Sequence, residues 1–188
     1  MIKFEKVSRF NDVEFDMPSR KTAYSAGYDM VVAEDKVIPP LDHINSELIN
    51  YAMFNNLDEP FFDEDEALSL TKMAALTKQL GAKPTLVSSG VKCHLEEGTY
   101  LELSVRSSTP LKYWLICGNG VGIIDADYCN NPDNEGEIFF QLINLSPFPI
   151  KLKKGDIIGQ GIVKRYLTTT DEVNNFTVRI GGFGSTSK

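Results

Sequence analysis

The chain has 188 residues, 42% hydrophobic and 24% charged, with 19 Lys and Arg against 26 Asp and Glu for a formal net charge of -7. That profile suits one globular domain able to bury its own core. It leaves no broad basic face for a nucleic-acid backbone and no apolar run fit to span a bilayer, so neither a nucleic acid nor a membrane is an expected partner.

The amino terminus, MIKFEKVSRF, lacks an apolar signal core. The three cysteines, Cys93, Cys117 and Cys129, are odd in number and show no metal-like pairing, so reduced thiols in a cytoplasmic compartment are expected. Along the chain most segments read as short strands. YDMVVA follows Gly27. TYLELSV (Thr99 to Val105) alternates, with Leu101, Leu103 and Val105 on one face and Glu102 and Ser104 on the other. WLIC from Trp114, EIFFQLI from Glu137, FPIKL from Phe148 and DIIGQGIVK from Asp156 complete the set. Gly, Pro, Asn and Asp punctuate the gaps. Many short strands at regular spacing predict an all-β jelly-roll or barrel in a single domain over 1–188.

Residues 41–84 break this rhythm with a helical pattern. Asp63 and Glu66 suit a capped start; Leu70, Met73, Ala74 and Thr77 form a stripe, and Gly81 suits a C-terminal cap. The segment reads as an insertion between strands, either a flap packed on the barrel or an arm that binds another protein.

Three further stretches carry candidate chemistry. In GNGVGIIDADY (Gly118 to Tyr128), glycines in a strand context allow close backbone approach, although Asp125 and Asp127 also suit a solvated hairpin turn. In SVRSSTP (Ser104 to Pro110), an arginine and paired hydroxyls follow a strand into a turn, which suits a phosphate cradle or a plain salt bridge. At the carboxy terminus, VRIGGFGSTSK offers amides, hydroxyls and Arg179 to phosphate oxygens and Phe183 to a base, or else a disordered tail.

Taken in order, AGYD (Ala26 to Asp29), RSS (Arg106 to Ser108), NGVGIIDADY (Asn119 to Tyr128), GDIIGQ (Gly155 to Gln160) and RIGGFGST (Arg179 to Thr186) resemble the five signature motifs of the trimeric dUTPase family. The resemblance covers nearly the whole chain except the helical insertion. It implies a jelly-roll, or distorted β-barrel, homotrimer that hydrolyses dUTP to dUMP and pyrophosphate, with Mg²⁺ carried on the phosphates and each of three sites collecting motifs from all three subunits. By resemblance, Asn119 and the backbone at Gly122 and Ile124 form a β-hairpin slot for uracil, Asp125 contacts the 3′-hydroxyl and serves as general base, and Tyr128 packs under the deoxyribose. Arg106, Ser107 and Ser108 hold the phosphates. Asp29 acts through Arg106 or metal-bound water, and Gln160 supports the phosphate side. A flexible tail, residues 179–188, closes the site: Arg179, Gly184, Ser185 and Thr186 cover the phosphates and Phe183 covers the base. No direct protein ligand to the metal is expected, and His43 and His94 read as surface or packing residues.

Some positions depart from the pattern. Only Ile180 separates Arg179 from Gly181-Gly182, Cys129 follows the tyrosine where a charge is common, and Val105 replaces a frequent proline. The nearest alternative is a dCTP deaminase of the same fold, but Gln141 stands where that chemistry needs a glutamate, and a neutral amide cannot act as general acid or base. A protein-binding regulator acting through the insertion is the alternative of another class.

Overall fold

The computed structural model describes residues 1–41 and 83–171 together with the single positions 46, 50, 73, 74, 77, 179, 181 and 182. The helical insertion over 41–84, including the capped helix starting at Asp63, therefore lies almost wholly outside the described residues; the isolated positions 46, 50, 73, 74 and 77 are helical.

Eleven strands among the described residues carry the fold: β1 (Lys3–Lys6), β2 (Tyr28–Val31), β3 (Lys36–Ile38), β4 (Thr85–Ser88), β5 (Val91–His94), β6 (Thr99–Ser104), β7 (Leu115–Cys117), β8 (Gly122–Asp125), β9 (Phe139–Asn144), β10 (Ile150–Leu152) and β11 (Ile157–Arg165). Their pairing is antiparallel, in a four-stranded sheet β2-β11-β6-β8, a three-stranded sheet β4-β9-β7 and two-stranded pairs β1-β5 and β10-β3. The expected all-β architecture is present. Sequence alternation missed β1, β3, β4 and β5, each only three or four residues long and too short to show a period.

Alternation explains the core. Along β6, Thr99, Leu101 and Leu103 are buried, and along β9, Phe140, Leu142 and Asn144 are buried, because successive side chains on a strand point to opposite faces. These inner faces meet with Met30, Val32, Ile38, Val87, Val91 and Ile138 in one cluster. Asn144 is a buried polar member, satisfied by donating to the carbonyls of Ile38 (3.2 Å) and Phe148 (2.7 Å) and by accepting from Ser146. It thereby ties β9 to the turn before β10.

Two expectations are corrected. The segment after Arg106 is not a simple turn but a short helix, α1 (Ser108–Tyr113). Pro110 fits there because it sits in the first helical turn, where backbone N–H groups have no intrahelical partner anyway. Trp114 closes α1 in the left-handed conformation (φ 55°), so β7 starts at Leu115 and not at Trp114. The stretch Gly118 to Tyr128 is also not a two-stranded hairpin. Among the described residues β7 pairs with β9 while β8 pairs with β6, so the loop between them links two different sheets.

Gly159 marks the tightest packing in β11. A Cβ at this position would collide with the Phe140 ring and stand 2.6 Å from the Ser104 carbonyl oxygen. Gly159→Ala is therefore expected to destabilise the fold by about 1–3 kcal/mol, as overpacking does. Urea unfolding at an unchanged m-value checks this; a midpoint equal to that of the parent would show that Phe140 moves aside freely.

Candidate active site

Strand β8 is laid against β6 in the register Gly122 to Leu103, Ile124 to Leu101 and Asp125 to Tyr100. Gly122 permits this closeness, since a Cβ there would stand 3.1 Å from the Leu103 Cβ. Before the strand, Gly120 takes a positive φ of 70° and the turn closes with Gly120 N–H donating to the Cys117 carbonyl at 3.1 Å. After it, a 3₁₀ turn over Ala126–Tyr128 folds the tyrosine back into the protein, 6% exposed. A cleft of about 180 Å³ results. Of the residues anticipated from sequence, it brings together Asn119, Gly122, Ile124, Asp125, Tyr128 and Arg179. It adds Leu103, Ile123, Phe139, Gln141 and Gly182, none of them a candidate site residue from the sequence, although Gln141 had been weighed against a deaminase glutamate. Phe139 and Gln141 were findable in principle: they occupy the less buried face of β9, two residues apart.

Arg179 enters this cleft as a fork. Its Nη2 donates to Asp125 Oδ2 at 2.6 Å and its Nε to Asp127 Oδ1 at 2.8 Å, with the guanidinium 5.9 Å from the centre of the Tyr128 ring. Gly182 lies against the same ring, where a Cβ would come within 2.8 Å of Tyr128 Cε2. Burial pushes the Tyr128 phenol above its ordinary pKa, so it keeps its proton at neutral pH. Phe183, Gly184, Ser185 and Thr186 lie outside the described residues.

The remaining candidates gather elsewhere. On β11, Gln160 is flanked by Asp29 of β2 on one side and Ser104 of β6 on the other, and its amide reaches Ser104 Oγ at 3.4 Å. Arg106 Nε stands 3.5 Å from Asp29 Oδ1. The second carboxylate oxygen, Asp29 Oδ2, is buried without a hydrogen-bond partner among the described residues. Ser107 is exposed at the start of α1 and makes no side-chain cap bond to it. Arg106 and Ser108 line a second cavity of about 380 Å³ together with Lys112 and Lys151, a cationic lining opposed by Asp156.

These two groups do not meet within one chain. Asp29 and Asp125 lie on the two edge strands of the four-stranded sheet, which at ~4.8 Å per strand puts them about 14 Å apart across it. Along β6, Ser104 is four residues beyond the partner of Asp125, about 13 Å at the rise of a strand. Arg106 lies further on.

The same chain matches a family model described as dUTPase over residues 67–187. A relative from Lactococcus lactis named deoxyuridine 5′-triphosphate nucleotidohydrolase is 30% identical over 184 residues, covering 97% of this chain and 95% of the relative. The chain belongs to the dUTPase family. Among solved structures, a dUTPase from Streptococcus mutans superposes with a TM-score of 0.62 at 30% identity, over 88% of this chain and 97% of that one. The dUTPase of phage phi11 of S. aureus, at 16% identity, shares the fold with a TM-score of 0.55 over 94% of this chain and 99% of its own.

Within this dUTPase fold, Gly27 serves the Gln160 amide. A Cβ at Gly27 would collide with Gln160 Oε1 and stand 2.9 Å from that side chain's Cδ and 3.2 Å from its Cβ. Gly27→Ala is expected to push the flexible amide away from Ser104 while the barrel persists, moving the melting temperature by no more than roughly 2–4 °C, the equivalent of about 1 kcal/mol. Turnover should fall by more than that loss of stability explains. Parallel losses in thermal denaturation and steady-state assays would mean that Gly27 serves the fold alone.

Proposed function

We propose that the enzyme hydrolyses dUTP to dUMP and pyrophosphate in sites assembled across a homotrimer, in a cytoplasmic setting where it lowers dUTP and supplies dUMP. The observation that carries this reading is the cleft in which Asn119, Gly122, Ile124, Asp125 and Tyr128 converge on a strand laid open by glycine. Uracil lies against the backbone at Gly122 and Ile124, with Asn119 beside it, and the deoxyribose packs on Tyr128. Asp125 accepts the proton of a water whose oxygen bonds to the α-phosphorus. The bond from that phosphorus to the oxygen bridging to the β-phosphate breaks, and pyrophosphate leaves with the electron pair.

Charge on the phosphates needs neutralisation, and Arg106 with Ser107 and Ser108 suits that task, as does Arg179 at the closing tail. Asp29 orients Arg106, and Gln160 supports the same edge. Among the described residues no cluster of three or more His, Cys, Asp or Glu could cage a metal. Mg²⁺ fits on the phosphates instead, where it would neutralise charge building on the leaving pyrophosphate. The Oδ2 of Asp29, buried and unpartnered among the described residues, suits acceptance of a hydrogen bond from metal-bound water. Separation of Arg106 from Asp125 within one chain supports a site shared between subunits of a closed ring.

Pyrophosphate release measured with dUTP, dCTP, dTTP and UTP in Mg²⁺ tests the reading, with dUTP expected to be strongly preferred. Asp125→Asn should lower turnover by roughly 10²–10⁴, the usual contribution of a general base, while a non-hydrolysable dUTP analogue still binds. Near-normal turnover would remove Asp125 from that role. Mixing Arg106→Ala subunits with Asp125→Asn subunits should restore activity above both parents, because roughly a quarter of the sites in randomly mixed trimers would be intact. Verified mixed trimers as inactive as either parent would count against shared sites.

A further inference from the structure

The segment between Tyr128 and Ile138 is built around one hydroxyl group. Tyr128 Oη donates to the carbonyl of Glu137 at 2.9 Å and accepts from Asn134 Nδ2 at 2.8 Å. The orientation of the Asn134 amide is settled by a backbone donor, since its Oδ1 accepts from Gly136 N–H at 3.0 Å as well as from Asn131 Nδ2 at 2.8 Å. Asn131, 4% exposed, is itself saturated. Its Nδ2 also donates to the Tyr128 carbonyl at 2.8 Å, and its Oδ1 accepts from the amides of Asp133 and Asn134.

The other anchor of the hydroxyl is equally fixed. Glu137 is 4% exposed, and its carboxylate takes a two-bond clamp from Arg9, at 2.9 Å to Nε and 2.7 Å to Nη2, with Ser88 Oγ as a further donor. The pairing holds the Arg9 guanidinium above its ordinary pKa. The backbone of the loop is forced into this shape. Asn130 and Glu135 both take positive φ values near 60°, which costs a residue with a side chain free energy. Gly136 has φ 80°, and a Cβ there would stand 2.6 Å from the Tyr128 carbonyl oxygen.

Satisfying one buried phenol needs one partner. Two partners in fixed directions, each braced by further bonds, remove the freedom of the ring to swing about its Cα–Cβ bond. We propose that Asn134 is a positioning residue for sugar selection: it clamps the Tyr128 hydroxyl, so that the ring presents a rigid face with no room for a 2′-oxygen. This rests on the reading that Tyr128 packs under the deoxyribose. Discrimination against one extra oxygen depends on a wall that does not yield, and a ring free to shift by about an ångström would yield.

The test is the ratio of kcat/KM for UTP to that for dUTP in Tyr128→Phe, Asn134→Ala, Asn134→Asp, the double variant Tyr128→Phe/Asn134→Ala, and Tyr128→Ala. Tyr128→Phe and Asn134→Ala are each expected to raise the ratio by roughly two- to tenfold, the span of one hydrogen bond. The double variant should go no further than Tyr128→Phe, because Asn134 acts through that oxygen. Asn134→Asp should lose the discrimination much as Asn134→Ala does, since the single phenol proton is already given to the Glu137 carbonyl and a carboxylate has no proton to donate to the oxygen. The proposal is overturned if Asn134→Ala slows both substrates equally, or changes the ratio as much without the hydroxyl as with it. If Asn134→Ala does not fold, Tyr128→Phe decides alone, and an unchanged ratio there overturns the clamp. Tyr128→Ala separates the two levels. A raised ratio in Tyr128→Ala with none in Tyr128→Phe sinks only the clamp, whereas no change in Tyr128→Ala removes the sugar contact and the clamp with it.

Discussion

Strand β6 is the constraint on which the rest depends. One edge of it is paired to β8, which carries Gly122, Ile124 and Asp125, and the other to β11, which carries Gln160. Its buried face supplies Leu101 and Leu103 to the core, and its end runs directly into Arg106 and α1. A slip of one residue in either ladder would turn every side chain of the slipped strand to the other face. The register is protected because Leu101 and Leu103 on the buried face of β6 are large and apolar while Glu102 and Ser104 on the other face are polar and half-buried. Packing therefore positions the chemistry: the same alternation that fills the core sets where Asp125 and Ser104 stand.

Close backbone approach is the second theme, and it recurs where functional groups must lie near main chain. Gly122 brings β8 onto Leu103, Gly159 brings β11 under the Phe140 ring, and Gly136 folds the loop back on Tyr128. At each place the missing Cβ is occupied by a neighbour. Around Tyr128 the polar counterpart appears, the Asn131 and Asn134 side chains bonded to each other and to the loop, backed by the buried Glu137 carboxylate in its pair with Arg9. Such a network is costly when partly satisfied and rigid when complete, and here Asn131 uses its amide fully.

The five motifs were legible because each joins residue types that chemistry needs at fixed offsets, and these offsets survive whatever connects them. TYLELSV and DIIGQGIVK were legible as strands for the same local reason, a period of two. Pairing was not legible. Nothing within GNGVGIIDADY says that the strands on its two sides belong to different sheets, since that is decided by distant partners on β6 and β9. Helix α1 was hidden by Pro110, which reads as a turn signal unless its place in the first helical turn is known. The Tyr128 loop was read only as spacing, because side-chain hydrogen bonds from Asn131 and Asn134 leave no periodic trace.

Charge sets the last relation between fold and function. A chain of net charge -7 is asked to hold a polyanion, so its overall field opposes the substrate. That field is screened over roughly 8 Å at physiological ionic strength, which makes local placement decisive. Many of its carboxylates are already engaged by cations of their own: Glu137 and Glu34 by Arg9, Glu5 by Lys3, Asp35 by Lys153 and Glu102 by Lys164. At the sheet edge, by contrast, Arg106 shares only a long contact with Asp29, and Lys112 and Lys151 face the same cavity. Among the described residues, cationic side chains thus gather beside the hydroxyls of Ser108 and Thr109, with Asp156 as the carboxylate on the same cavity. In the proposed reading, a phosphate chain would be recognised there through the ion pairs the fold leaves incomplete, not through the sign of the whole molecule.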